Sequence, residues 1–247
     1  MKLSVIMPVY NRETYVVSAL RSLLRQRDAA DLDIIVVDDG STDGSVDAVR
    51  FMMQGASCIR LFEQANEGVA RARNAGLRQM PPQTQFVSFL DSDDISPAGR
   101  FKTDLAFFEA DPTLELTYSL MTKVDVMDDQ TLQPAPGGSS GTVRGVSLSA
   151  AIFRRALVDR TGFFDEDLKQ GEDTDYLLRV FETAPRHVLA DTVAVYYRRH
   201  TGNLTKETEV AVRAYLHVIQ KSMRRRKADP SLRPVEGLFE IRNGANG

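Results

Sequence analysis

The chain has 247 residues, 31 basic and 34 acidic, for a formal net charge of −3, with 43% apolar, 26% charged and 8% aromatic residues. This is the composition of a globular protein large enough for one α/β domain with a substantial core, or for two small lobes sharing an interface. The acidic balance argues against a nucleic-acid partner, the single Cys58 excludes an internal disulfide framework or a Cys-based zinc site, and no apolar run approaches the ~20 residues of a membrane span. The start of the chain is one Lys, five strand-like residues and Pro8, which is not a signal peptide, so a cytoplasmic protein is expected.

The first ~120 residues alternate between the periods of strand and helix. Residues 3–7 are a β-rich run closed by Pro8, and residues 13–27 carry Val16, Leu20, Leu23 and Leu24 at helical spacing. Residues 32–37 (LDIIVV) are continuously apolar, as in a strand covered on both faces. Ser41 or Thr42 can cap a helix bearing Val46, Val49, Met52 and Met53. Residues 58–62 read as a third strand, 68–80 as a helix stopped by Pro81-Pro82, and 86–90 as a fourth strand. Ser96-Pro97 offers an N-cap with Pro at the first helical position, opening a helix through residue 108. This order predicts a parallel sheet flanked by helices.

After Asp111-Pro112 the pattern changes. Residues 114–121 and 124–127 read as strands, and the Pro/Gly/Ser-rich 133–142 as a mobile loop. Residues 146–158 and 173–182 read as helices, and 187–197 as two short strands. Residues 206–227 form a last helix, with a Pro-containing tail ending in NGANG. From His200 onward there are nine basic and five acidic residues, a net +4 against −7 for the rest.

Ligands of open α/β sheets bind beyond the carboxyl ends of the strands, and acids concentrate there in this chain. The second strand runs into Asp38-Asp39-Gly40-Ser41-Thr42-Asp43 and the fourth into Asp91-Ser92-Asp93-Asp94. Carboxylates this close repel one another and call for a cation or a hydrogen-bonding ligand. Asp91 and Asp93, two apart around a small residue, suit a hard divalent cation shared with phosphate oxygens. The first strand ends in Pro8-Val9-Tyr10-Asn11, with neither a G-x-G-x-x-G nor a P-loop. A base can instead lie against Val9 and Tyr10, with Asp39 accepting from a ring N–H.

In Asn66-Glu-Gly68-Val-Ala-Arg71-Ala-Arg73-Asn74-Ala-Gly76, Gly68 permits close backbone approach. Arg73 is the better candidate for phosphate or the nearby acids, and Arg71 reads as a surface charge. In the segment Gly171-Glu172-Asp173-Thr174-Asp175, Asp173 shares the inward stripe of Tyr176, Leu177 and Val180, where it serves as a cap or a working base. Asp175, Arg179 and Glu182 fall on the outer side, and Glu172 supports the loop. Tyr197-Arg198-Arg199-His200 ends a strand, and His200 can complete a metal site with Asp93 or contact a diphosphate.

In their order, SVIMPVYN, VVDDGSTD, NEGVARARNAG, FLDSDD, GFFDEDL, GEDTDYLLR and YYRRH resemble the inverting glycosyltransferases of family 2, with a GT-A fold. The resemblance implies a Rossmann-type, mostly parallel central sheet flanked by helices, a smaller acceptor-side lobe and a C-terminal helix. Residues 1–115 would bind the nucleotide sugar, 116–205 the acceptor and catalytic base, and 206–247 form a basic amphipathic helix and tail. Pro8, Val9, Tyr10, Asp39, Arg73, Asp91 and Ser92 would hold the nucleotide. Asp93 and His200 would bind Mn²⁺ or Mg²⁺, and Asp173 would be the base. Asn66, Gly68, Asn74, Glu172 and Arg198 would support them. The donor implied is a UDP-sugar and the acceptor a glycan or a lipid-linked hydroxyl.

Processive polysaccharide synthases of the wider family carry Q-x-x-R-W and membrane spans; a chain with no Trp is not of that type. A haloacid dehalogenase-like phosphatase also uses D-x-D after an apolar strand, but FLDSDDI has Ile where that motif needs Thr or Val. A sugar-nucleotidyltransferase wants a Gly-rich loop after the first strand, and a glycosidase has no nucleotide site. The non-enzyme alternative is a nucleotide-sugar-binding protein. The last helix mixes Lys221, Arg224, Arg225, Arg226 and Lys227 with Val210, Leu216, Val218, Ile219 and Met223. Such a helix can lie on the inner face of an anionic membrane or pack over the acceptor lobe.

Overall fold

The computed structural model describes residues 1–200 and 208–235. Apolar strands alternate with amphipathic helices through the first half. In chain order these are β1 (Lys2–Val9), α1 (Val16–Leu24), β2 (Asp31–Asp38), α2 (Ser45–Gln54), β3 (Ile59–Glu63), α3 (Val69–Arg78), β4 (Phe86–Phe89) and α4 (Arg100–Ala110). β1, β2 and β4 are buried along nearly their whole length, as their mostly apolar sequences require. They pair in parallel with β3 in the order β4-β1-β2-β3, with Val5 beside Ile34, Val36 beside Leu61 and Ile6 beside Phe89. Gly76 lets α3 sit directly on β1: a Cβ there would lie 2.5 Å from Ile6 Cγ2.

The second half is less regular. It comprises β5 (Leu116–Val124), β6 (Met127–Asp128), β7 (Gln133–Pro134), β8 (Ser140–Val143), a 3₁₀ turn (Leu148–Ala150), β9 (Ala151–Arg154), α5 (Arg155–Thr161), α6 (Glu172–Glu182), β10 (His187–Arg198) and α7 (Thr208–Ala228). The main sheet continues without a break as β10-β5-β9-β4, and β8 adds to β5. β9 is antiparallel to both β4 and β5, while β10 runs parallel to β5. The small β6–β7 ribbon stands apart. The result is the mostly parallel sheet flanked by helices that the sequence implies.

Several local expectations are corrected. Residues 146–158 contain the strand β9, because Ala151, Ile152 and Phe153 are fully buried between β4 and β5 and an apolar run that short has no period of its own. The 133–142 loop contains β7 and most of β8. Residues 187–197 form one strand, with register shifts between Leu189 and Val195. Residues 114–127 hold one long strand and the start of a short one. Ser96 does not cap α4; its hydroxyl accepts from Gln26 (2.9 Å), and the helix starts after Gly99, at φ 77°. Ser41 and Thr42 do not cap α2, whose first amide, that of Ser45, donates to Asp43 at 3.0 Å.

The outer face expected of α6 is also corrected. Asp175 and Glu182 are 1% and 0% exposed because α7 covers them. Arg225 donates to Asp175 (2.6 Å) and to Glu182 (3.0 Å), Ser222 also reaches Glu182, and Arg179 holds Asp175 from its own helix at 2.9 Å. Val218 is buried against Leu168 and Leu178, and Lys221 pairs with Asp165. Of α7's expected basic face, Arg225 and Arg226 are thus turned to α6 and Lys221 to Asp165, while Val212, Leu216 and Met223 remain exposed. Residues 206–207 of the expected last helix and the NGANG tail lie outside the described residues. Among the described residues, no helix is long and apolar enough to cross a membrane.

Candidate active site

The carboxyl ends of β1, β2 and β4 meet the start of α6 and the end of β10. At the end of β1, Pro8 and Val9 are buried and Tyr10 is exposed at the rim. Asn11 turns the chain at φ 51°, a conformation Asn tolerates, and its side-chain oxygen accepts from the Thr42 amide at 2.8 Å. After β2, buried Asp39 accepts from the amides of Gly68 (2.8 Å) and Glu67 (3.0 Å) and from Gln64 (2.8 Å). A carboxylate has about four acceptor positions, so one is left for a ligand N–H. Gly68, at φ 96°, makes this approach possible. Asn66 lies exposed on the same loop, whose backbone crowds Gly40.

Arg73 joins the two acidic segments. It is 4% exposed and donates to Asp91 at 2.8 Å and to Glu172 at 2.6 Å, with its guanidinium 5.6 Å from the Phe164 ring centre. Arg71 is a surface residue near Glu67 and Glu166. Asn74 faces away from the cleft: its amide is fully buried and clasps the backbone of Phe164 from both sides while donating to Glu166. It fixes the segment leading to α6.

In the turn after β4, Asp91 is half-exposed and Ser92 is buried. Asp93 Oδ2 accepts from Arg12 Nε at 2.9 Å and lies 3.0 Å from His200 Nε2. Asp94 is 1% exposed and accepts the Arg198 amide at 3.0 Å. Burial, and then the charges of Asp93 and Asp91, push its carboxyl well above the usual range. The Arg198 side chain is a strut, donating to the Asp93 carbonyl (3.0 Å) and to Asp129 (2.6 Å), while Tyr15 stacks on His200 at 4.7 Å.

On the opposite side, Asp173 accepts the Thr174 amide at 2.6 Å and its hydroxyl at 3.3 Å. Burial raises its carboxyl to about 6, and the adjacent Glu172 adds to the rise against the pull of Arg73. Among the described residues no basic side chain pairs with it.

The donor set suits a hard divalent cation in one way only. Asp91 and Asp93 offer carboxylate oxygens, but among the described residues no three acidic, His or Cys side chains converge into a ligating group. A Mn²⁺ or Mg²⁺ ion fits here if one or two carboxylates hold it and phosphate oxygens and water complete the shell. Sequence reasoning passed over Arg12, Tyr15 and Asp129. Arg12 alone had a visible signal, since it directly follows the strand end that faces the acids.

The sheet order, the acidic turn after β4 and the carboxylate at the head of α6 define a GT-A architecture. The model of the family described as "Glycosyl transferase family 2" matches residues 4–132, just over half the chain, and the chain belongs to that family. It is 27% identical over 220 residues to the uncharacterized glycosyltransferase EpsJ of Bacillus subtilis, covering 82% of this chain and 62% of that protein. The crystal structure of residues 1–349 of Staphylococcus aureus TarS with UDP-GlcNAc superposes with a TM-score of 0.70 at 24% identity, over 90% of this chain and 66% of that one. The mannosyltransferase PcManGT of Pyrobaculum calidifontis, in complex with GDP-Man and Mn²⁺, gives 0.67 at 22% identity, over 90% and 64%. The chain therefore spans less than two thirds of these proteins' lengths, and at these identities the two structures report the fold.

Proposed function

We propose that this chain transfers one sugar, with inversion, from a nucleoside-diphosphate sugar to a hydroxyl of a glycan or lipid-linked acceptor, non-processively and with a divalent cation. UDP is the nucleotide put forward, in keeping with the UDP-GlcNAc bound to TarS. The observation that carries the reading is Arg73, whose guanidinium holds the strand-end acid Asp91 and the helix-start acid Glu172 together. That fixes Asp173 across one cleft from the Asp91–Asp93 turn.

Pro8, Val9, Tyr10 and the remaining acceptor position of Asp39 take the base, and Asp91 with Ser92 borders the ribose. Asp93, with His200 beside it, is the place for Mn²⁺ or Mg²⁺, which when bound stabilises charge on a leaving diphosphate. Asn66, Gly68, Asn74, Glu172 and Arg198 hold these groups in position. Asp173 accepts the proton of the acceptor hydroxyl as its oxygen attacks the anomeric carbon. The new carbon–oxygen bond forms on the face opposite the breaking bond to the diphosphate, which leaves with the bonding electron pair. Residues 1–115 supply the donor side, and 116–205 the acceptor side and the base. A cytoplasmic location, with α7 against the inner membrane face, fits a lipid-linked acceptor.

The test is incubation with a panel of sugar nucleotides, Mn²⁺ and acceptors, with release of the nucleoside diphosphate as readout. Release that depends on acceptor supports the reading. Nucleotide binding with no turnover on any acceptor identifies a binding protein instead, and phosphate release from simple esters a phosphatase.

A further inference from the structure

We infer that Arg12 is the resident counter-cation of Asp93, and that a divalent cation competes with it for that carboxylate, so that metal enters this site together with a diphosphate and not ahead of it. The inference rests on the metal-dependent reading above.

The argument is one of charge and geometry. Three carboxylates lie within four residues after β4, and each is already met by an arginine. Arg73 holds Asp91 at 2.8 Å, Arg12 holds Asp93 at 2.9 Å, and Arg198 gives its amide to Asp94 at 3.0 Å. Arg12 is distinct among them because it occupies the carboxylate that has the metal assignment. Its guanidinium is folded back over its own turn, with Nη1 donating to the carbonyls of Asn11 (3.0 Å) and Tyr10 (3.3 Å). Its backbone amide is pinned to Ser45 at 2.7 Å, so the side chain is presented to Asp93 from a fixed stem.

Both side chains of this pair are largely shielded, at 20% and 13% exposure, where an ion pair is less screened than on the surface. His200 lies against the same oxygen, Oδ2, which leaves that oxygen saturated. A divalent ion arriving alone would displace one cation from a carboxylate and bring two positive charges beside it. A diphosphate arriving with the ion restores the balance and gives the released guanidinium a new anion. Metal and nucleotide then promote each other's binding by the same factor.

The experiment measures Mn²⁺ binding to the whole chain by electron paramagnetic resonance, with and without UDP. Wild type, Arg12→Gln, Arg12→Lys and, as a surface control, Arg71→Gln are compared. Wild type is expected to bind Mn²⁺ weakly alone and more tightly with UDP. Arg12→Gln is expected to gain roughly tenfold in Mn²⁺ affinity without nucleotide, the scale of one hydrogen bond to a charged group, and to lose the same factor from the UDP enhancement. Arg12→Lys keeps the charge but not the Nε contact and should fall between, which covers the case of a misfolded Gln variant. Arg71→Gln should match wild type. Unchanged nucleotide-free affinity in both Arg12 variants, with the UDP enhancement intact in wild type, overturns this inference alone. UDP binding that is indifferent to Mn²⁺ in wild type overturns the metal-dependent reading and this inference with it.

Discussion

Two segments of the candidate site each put three carboxylates within four residues: Asp91-Ser92-Asp93-Asp94 after β4, and Glu172-Asp173-Thr174-Asp175 at the start of α6. After β4 each acid meets an arginine, through its side chain or its backbone. At α6 only the flanking acids do, Glu172 through Arg73 and Asp175 through Arg179 and Arg225. Among the described residues Asp173, between them, accepts only from its neighbour Thr174. Contact with a cation lowers a carboxylate's pKa against the rise that burial causes, as Arg73 does for Asp91, whereas Asp94, which among the described residues meets only a backbone amide, is pushed well up. A carboxylate that is enclosed, beside another acid and without a direct cation, binds a proton in the neutral range. Under the proposed function, guanidinium contact at Asp91 and Asp93 but not at Asp173 is what would separate a cation-binding turn from a proton acceptor.

The largest expected effect comes from removing that acceptor. Asp173→Asn should slow transfer by about 10²–10⁴-fold, the usual weight of a general base, while nucleotide affinity by calorimetry stays unchanged. Normal transfer by the variant would dissolve the distinction between the clusters. The pH dependence sharpens the same point. With Asp173 raised to about 6, transfer should climb with pH and level off above that value. Stability should move the other way. An Asp titrating near 3.8 when unfolded and near 6 when folded binds more protons in the native state between those values, so stability falls as pH rises through that window. Asp173→Asn should flatten this slope in urea titrations taken from pH 4 to 7.

Next in size is the other side of α6. Asp175→Ala leaves Arg179 and Arg225 facing a gap under α7, and a cost of about 3 kcal/mol is expected by chemical denaturation. Smaller again is Gly76→Ala. Alanine normally stabilises a helix relative to glycine, but here its methyl meets Ile6, so a net loss of about 1–2 kcal/mol is expected. The shift also moves α3, which carries Arg73, so transfer should slow along with the loss of stability. The smallest effect is that of Arg71→Ala, two positions from Arg73 but on the surface, which should change stability by less than about 0.5 kcal/mol.

The first half of the fold was legible because its strands are mostly apolar, as in LDIIVV of β2, and alternate regularly with helices that α1, α2 and α3 mark by a stripe. The second half was not, because β9 is only four residues long and its AIFR reads equally well as helix until it is wedged between β4 and β5. Asp175 and Glu182 were assigned to solvent because helical spacing reveals that a face is polar but not that a later helix will cover it. Within the site, the acids were visible as local clusters. The arginines that neutralise them come from distant positions: Arg12 reaches Asp93 across 81 residues and Arg73 reaches Glu172 across 99, separations with no local signature.

β9 has a consequence for how the cleft can vary. β1, β2, β4 and β5 run in the same direction and deliver their exits to one rim, whereas the reversed β9 delivers its entrance there. Tyr118 reaches into that entrance, donating its hydroxyl to the Gly145 carbonyl at 2.6 Å. The stretch from residue 125 to 147 is therefore strung between the exit of one rim strand and the entrance of the next. Its exposed side chains can change while both anchoring strands keep their register, but β8, paired on β5, and Asp129, which holds the Arg198 strut under the Asp93 turn, are fixed points. Under the proposed function, the exposed part of that bridge is where a change of acceptor would leave the grip on the donor intact.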